Sequence, residues 1–251
     1  MSPHVLAVEG LRVVRLAAAY PRRVVTVLQE VSFTLTEDDS FAVIGPSGSG
    51  KTTLALACAG LIRPAEGTVL QRGEPAHSRL RRGDGLLQMV FQDPFASFNP
   101  RRPVGVRLQQ VWSRRRIAPP PGIQDPKDML RTVGLPYDSA GKLPSELSGG
   151  ECQRWAIICA LAAGPSVLAL DEPTAMLDPL SRKRVVDCVL SVRRAFSVAI
   201  ILISQDPDLL RPLWTRGMVL DKGRVVDAGT ADDLYRRPSS TLTRKLLDDR
   251  A

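Results

Sequence analysis

Between the apolar run Phe41–Ile44 and the alanine- and leucine-rich stretch Thr52–Leu61 stands Gly45-Pro46-Ser47-Gly48-Ser49-Gly50-Lys51-Thr52-Thr53. Few short segments restrict a fold so tightly. Glycines 45, 48 and 50 let the backbone curl so that successive N–H groups point inward. A helix starting near Thr52 adds its own unpaired N–H groups beneath them. Lys51 brings a positive charge to this concavity, and the Thr52 hydroxyl is an oxygen ligand for Mg²⁺. The pattern GxxxxGK[ST] works only on a strand–loop–helix unit, where it holds the β- and γ-phosphates of a nucleotide. Residues 45–53 are therefore the expected nucleotide-binding loop, with Lys51 acting on the transferred phosphoryl group.

Downstream, Val167-Leu168-Ala169-Leu170 runs into Asp171-Glu172. The C-terminal ends of strands are where open α/β sheets place ligand chemistry. Alone, two carboxylates before Pro173 would read as a turn cap. Beside a phosphate-binding loop they read as a hydrolase pair. Asp171 then holds Mg²⁺, directly or through water, and Glu172 polarises the attacking water as general base.

Further apolar, β-branched runs at Val24–Leu28, Val31–Leu35, Leu86–Phe91, Val198–Ile203 and Met218–Leu220 read as strands. Helical patterns cover Thr52–Leu61, Glu151–Ala163 and Leu180–Val192. Alternation of this kind predicts a mostly parallel sheet covered on both faces. The two early strands, short and close together, suit a small antiparallel layer beside it. Between Asp93 and Ser145 the texture changes: prolines cluster and helical patches sit between them. The expected organisation is one domain over 1–251, with a core and β-layer over 1–92 and 161–251 and a helical insertion over 93–160.

Composition excludes more than it chooses. The best membrane-span candidate, Trp155 to Leu170, is broken by Gly164, Pro165 and Ser166. The N-terminal MSPHVLAVEG has neither the basic nor the apolar region of a secretory leader, so a cytosolic chain is expected. Cys58, Cys152, Cys159 and Cys188 form no CxxC pair, and with only His4 and His77 a zinc cluster is not expected. Reduced thiols serving as small apolar residues fit better. A net charge of +8 suits nucleic acid, anionic headgroups or bound nucleotide, and does not decide among them.

The segment between the two nucleotide motifs is the most specific. Leu147-Ser148-Gly149-Gly150-Glu151-Cys152-Gln153-Arg154 resembles the LSGGQ signature of ABC ATPases. Physically it is a hydroxyl and two glycine N–H groups at a helix N-terminus, a second anion site. The resemblance implies a P-loop NTPase fold of the ABC ATPase type: a RecA-like parallel-sheet core with an antiparallel β-layer and an inserted helical subdomain. It also implies two ATPase subunits packed head to tail, so that Leu147–Glu151 contact the partner's ATP. Tyr20 resembles the aromatic that stacks on adenine, in competition with a turn tyrosine beside Pro21. Gln92 resembles the Q-loop glutamine that reaches Mg²⁺ and the attacking water, and Asp178 a D-loop aspartate facing the partner.

Met89-Val-Phe-Gln92-Asp93-Pro94-Phe-Ala-Ser97-Phe-Asn99-Pro100-Arg101 resembles the QDPxxSLNPR pattern of importers for dipeptides, oligopeptides and nickel or metal chelates. The chain stops soon after Leu247, as the shorter, second ATPase of such systems does. The resemblance then implies ATP and Mg²⁺ as cofactors. The implied partners are a second ATPase of different sequence, two permease subunits and an external substrate-binding protein. The implied place is the cytoplasmic face of the inner membrane, peripherally bound. Nucleic acid is not an expected partner: the long coiled coil of DNA-repair members and the tandem ATPase of translation members are both missing. A regulatory nucleotide binder that scarcely hydrolyses ATP is the other alternative.

One departure favours that alternative in part. After Val198–Ile203 the family has Ser-His-Asp, and this chain has Ser204-Gln205-Asp206. The histidine contacts the γ-phosphate; Gln205 keeps a hydrogen-bond donor but cannot become cationic or shuttle a proton. An impaired site, in a pair of unequal sites, is the expectation. Cys152 and Cys159 also depart, standing where arginine is common in the family.

Overall fold

The computed structural model describes residues 4–16, 24–115 and 123–248. In chain order the strands are β1 (Leu6–Leu16), β2 (Val24–Leu35), β3 (Ser40–Ile44), β4 (Glu66–Gln71), β5 (Glu74–Pro75), β6 (Leu87–Val90), β7 (Val167–Asp171), β8 (Ala199–Ser204), β9 (Arg216–Asp221) and β10 (Arg224–Thr230). The helices are α1 (Lys51–Cys58), α2 (Ala76–Arg82), α3 (Val104–Arg114), α4 (Pro126–Thr132), α5 (Gly149–Leu161), α6 (Pro179–Ala195), α7 (Ala231–Arg236) and α8 (Thr241–Asp248).

The main sheet runs β10-β9-β3-β8-β7-β6, parallel except for β10 at its edge. Every residue of β3, β7 and β8 is buried, which is why these segments read as continuous apolar runs rather than alternating ones. Their side chains still alternate in destination. Ile44, Leu168, Leu170, Ile200 and Leu202 enter the core under the helices, whereas Val43, Val167, Ala169, Ile201 and Ile203 enter the core shared with α1 and the β-layer. The register sets the site. Ile44 pairs with Ser204, Asp171 with Ile203 and Val90 with Leu170, so the chain leaves β3, β6, β7 and β8 at one edge of the sheet.

The second sheet, β2-β1-β4-β5, is the expected antiparallel layer, but its strands differ from the sequence reading. Val24–Leu28 and Val31–Leu35 are parts of one strand, with Glu30 at φ +53° between them. β1 was not anticipated because an irregularity shifts its phase: Leu6 and Val8 are buried, then Leu11 and Val13. A period-2 search over the whole segment loses the signal at that shift.

The helical layer comprises α3, α4, α5 and the 3₁₀ turns Phe95–Ser97, Tyr137–Gly141 and Pro144–Glu146. It shares one core with a face of the main sheet. At its centre α5 is buried almost all round, so its apolar run reflects packing on both sides. Among the described residues no helix is long and apolar enough to cross a membrane. The four thiols are free and buried, and burial pushes each up to about 12. Cys152 and Cys159 belong to this core, and nothing in the structure explains why they stand where arginine is common in the family. Trp155 is fully buried, and its Nε1 donates to Ser139 Oγ at 3.1 Å. Trp155→Ala is expected to cost about 3–5 kcal/mol, read as a lower denaturant midpoint at unchanged m-value.

Candidate functional site

At the edge where β3, β6, β7 and β8 end lies a cleft of about 360 Å³. Its walls are Ser47, Gly48, Gly50, Lys51, Thr52 and Thr53 of the loop and α1, together with Gln92, Asp171, Glu172 and Gln205. Four separate segments therefore converge on one polar opening. Val27 of β2 forms an apolar wall that sequence reasoning missed. Tyr20 lies outside the described residues.

The loop leaves β3 and turns directly into α1. Gly45 passes so close to β9 that a Cβ there would lie 2.3 Å from the Leu220 carbonyl oxygen. Gly50, the N-cap residue of α1, has φ +107°, and a Cβ would lie 2.7 Å from Leu28 Cδ2. The glycines are thus demanded both by the curl and by the two sheets that grip the loop from behind. Gly223 N–H donates to Ser49 O at 2.9 Å and ties the β9–β10 turn to the same loop.

Lys51 Nζ donates to Gly45 O at 2.7 Å and Pro46 O at 2.9 Å, which holds the ammonium inside the loop's concavity. Burial lowers its pKa, and the Glu172 and Asp171 carboxylates oppose that shift. Thr52 Oγ1 donates to Asp171 Oδ2 at 2.7 Å, linking the first turn of α1 to the end of β7. Asp171 and Glu172 both sit above their ordinary values, chiefly through burial. Glu172 has φ +48°, and its Oε1 accepts the Gln205 backbone N–H at 3.0 Å. The residue after β8 thus supports the carboxylate through its main chain, whatever its side chain.

Leu147–Glu151 and Asp178 are not among the residues lining this cleft. Ser148 caps α5: its Oγ accepts from Glu151 N–H at 3.2 Å, and its own N–H donates to Glu151 Oε2 at 2.9 Å. The Ser148 backbone N–H, helped by the Ser148 hydroxyl, holds the Glu151 carboxyl below its ordinary value. Leu147 is buried in the helical core, whereas Ser148 is exposed. Gly149 opens α5, and Gly150 packs on α6, where a Cβ would meet Ser181 Cβ at 2.8 Å. Asp178 caps α6, accepting from Leu180 and Ser181 N–H at 3.1 and 3.0 Å.

Sequence reasoning also missed Arg154. This buried side chain donates to the carbonyls of Val133, Gly134 and Gly150 and so fixes the start of α5 to the end of α4. Its partners are main-chain atoms up to 21 residues away, which no local pattern announces.

The chain matches the family described as ABC transporter over residues 28–175. It is 35% identical to the nickel import ATP-binding protein NikE of Rhodospirillum rubrum, over 97% of this chain and 90% of that protein. It is 32% identical to the oligopeptide transport ATP-binding protein OppF of Bacillus subtilis, over 90% of this chain and 77% of that protein. Among solved structures, cbiO1 from Clostridium perfringens, part of the ABC transporter complex cbiONQ, superposes with a TM-score of 0.76 at 24% identity. That alignment covers 98% of this chain and 96% of the other, and it shows the same fold. With the loop, the strand-end carboxylates and the signature helix all placed on that fold, this chain belongs to the ABC transporter family of ATPases.

Proposed function

We propose that this chain is the ATP-hydrolysing motor subunit of an importer for peptides, nickel or metal chelates, working in a dimer of ATPases beneath a permease. The convergence of Lys51, Thr52, Gln92, Asp171, Glu172 and Gln205 on one cleft carries the reading. The names of the nickel and oligopeptide relatives supply the cargo class.

The residues fit a nucleotide with Mg²⁺. Among the described residues the loop's ammonium has only main-chain carbonyls as hydrogen-bond partners, at the N-terminus of α1, so the concavity favours an anion. Among the described residues no group of three or more His, Cys, Asp or Glu could hold a metal. The Thr52–Asp171 oxygen pair, with Gln92 beside it, instead suits a hard cation that completes its shell with phosphate oxygens and water. When bound, Mg²⁺ neutralises charge on the β- and γ-phosphates.

Each residue then has a task. Residues 45–53 bind the phosphates through backbone N–H groups, and Lys51 adds its charge. Glu172 takes the proton of the attacking water; burial raises its pKa, which makes it a better base than an exposed carboxylate. The Gln205 N–H orients that carboxylate. Gln92 stands at the end of β6, where the sheet passes into the helical layer, and reports γ-phosphate status there. The exposed Ser148, with the α5 N-terminus behind it, and Asp178 face the partner subunit's nucleotide across the dimer, while Leu147 anchors that turn in the helical core. Beside Gln92, a trough lined by Leu61, Leu80, Met89, Phe91 and Val111 receives a cytoplasmic segment of the permease. Leu61, Leu80 and Phe91 are 55%, 39% and 43% exposed, unusual for large apolar residues standing together.

Gln205 makes this chain's own loop the weaker of two unequal sites, paired with an ATPase of different sequence. Steady-state hydrolysis and nucleotide-binding assays on the assembled complex test the reading. Turnover is expected to need Mg²⁺ and to vanish with EDTA, and Lys51→Ala to weaken ATP binding about tenfold. Nucleotide binding that ignores both changes would overturn it.

A further inference from the structure

The turn that follows β8 carries Gln205, whose backbone N–H is bonded to the Glu172 carboxylate at 3.0 Å. That bond is only as firm as the turn. Ser204 Oγ donates to Asp206 O at 2.8 Å and accepts Asp206 N–H at 2.9 Å. Pro207 is buried, and its ring fixes its own φ. Arg211 N–H donates to Asp208 O at 3.0 Å where the 3₁₀ turn Arg211–Leu213 begins. The main chain from Ser204 to Arg211 is thus braced in short steps, so a grip on Asp208 acts three residues away on Gln205.

Such a grip comes from α7. Tyr235 donates its hydroxyl to Asp208 Oδ1 at 2.6 Å. A phenol on a carboxylate is a charge-assisted bond, shorter and stronger than a neutral one. Burial, then the bond to Asp208, pushes the Tyr235 hydroxyl up; the Asp208 and Asp206 charges add to this and Arg211 opposes it. The hydroxyl therefore stays a donor at any working pH. Its ring is seated as well. It stacks on the buried Trp214 with centroids 6.0 Å apart, and the Arg211 guanidinium lies 5.2 Å from its centre while pairing with Asp232 at 2.7 Å.

A simpler account is that the hydroxyl fastens α7 to the body, but α7 has other fastenings. Ala231 and Leu234 are buried in the core under the helices. Ala231 N–H donates to Thr215 O at 2.8 Å, and the Thr230 side chain caps the helix. What the hydroxyl adds lies across the bond, in the turn that carries Gln205. We infer that Tyr235 is a positioning residue for hydrolysis: through Asp208 it holds the turn after β8 so that Gln205 N–H stays on the Glu172 carboxylate. The inference rests on the reading of Glu172 as the base.

The test compares Tyr235→Phe, Asp208→Ala, Asp208→Asn and the double variant Tyr235→Phe/Asp208→Ala in the full-length chain and the assembled complex. Two quantities are read: amide hydrogen exchange at Gln205, and kcat and KM for ATP. Phenylalanine keeps the ring on Trp214, and thermal melting of each variant checks the fold. Tyr235→Phe is expected to speed exchange at Gln205 about tenfold. It should lower kcat about tenfold, with KM changed less than about twofold. Asp208→Asn keeps an oxygen acceptor and should stay near wild type, whereas the double variant should be no worse than either single one. Unchanged exchange at Gln205 in Tyr235→Phe would show that the hydroxyl merely fastens α7, and the inference fails. Faster exchange with full turnover, while Glu172→Gln abolishes turnover, also overturns it. Full turnover in Glu172→Gln itself would instead defeat the base reading, and exchange at Gln205 alone then decides whether Tyr235 holds the turn.

Discussion

Glu172→Gln is expected to lower ATP hydrolysis by the assembled complex about 10²- to 10³-fold while leaving ATP binding intact. The substitution is nearly isosteric and keeps an oxygen that can accept the Gln205 N–H, so the strand end and the loop after β8 need not move. Only the proton acceptor is lost. Wild-type activity should fall as pH drops through the raised Glu172 pKa, at a higher pH than an ordinary glutamate would give, and the residual activity of the variant should lack that limb. Stability supplies an independent check. A carboxyl whose folded pKa is raised incurs no penalty below its unfolded pKa, and the full penalty once pH has risen past its folded pKa. Glu172→Gln should therefore melt no lower than wild type at pH 7.5. Any advantage should disappear in acid, below the ordinary glutamate value. A variant that melts lower at pH 7.5 would show that the carboxylate serves the fold, and its lost turnover would then say little about a base.

The parts of the molecule legible in the sequence were those where local rule and global fold agree. A phosphate loop needs its glycines for curvature, and here the same glycines are needed for contact with Leu28 and Leu220. The central strands are buried on both faces and so announce themselves as unbroken apolar runs. What stayed hidden had its cause at a distance. β1 loses its alternation at an irregularity, and its edges are defined by pairing with β2 and β4. Arg154 anchors α5 through main-chain carbonyls, which carry no residue identity. In Ser148-x-x-Glu151 the residues of a capping box were visible, but the reading went to the anion site that the same N–H groups suggest. The box sets where α5 begins, and Gly149 and Gly150 allow the close approach of Leu177 and Ser181.

Gln205→His is expected to raise turnover at this chain's own site about 10²-fold in the assembled complex. The geometry favours a clean gain. Gln205 meets Glu172 through its backbone N–H, and the following turn is held by Ser204 Oγ, which donates to Asp206 O at 2.8 Å and accepts Asp206 N–H at 2.9 Å. None of these contacts uses the side chain, which is exposed and lines the cleft beside Lys51. An imidazole placed there can carry a proton near neutrality, with an unperturbed pKa of about 6.5. A carboxamide can present a donor but cannot change its charge. The rate gain should therefore be accompanied by a new ionisation in the pH profile between the Glu172 limb and pH 8. Gln205→Ala separates the remaining readings. If it matches wild type, the glutamine side chain contributes nothing to the reaction and this loop binds ATP chiefly to close the dimer. If it falls well below wild type, the amide already serves as the γ-phosphate donor. Histidine would then add little, and the unequal-sites reading would fail. Under the first outcome this subunit's main contribution to the proposed motor passes to its other face, and Ser148→Ala is expected to lower turnover of the assembled complex more than Gln205→Ala does.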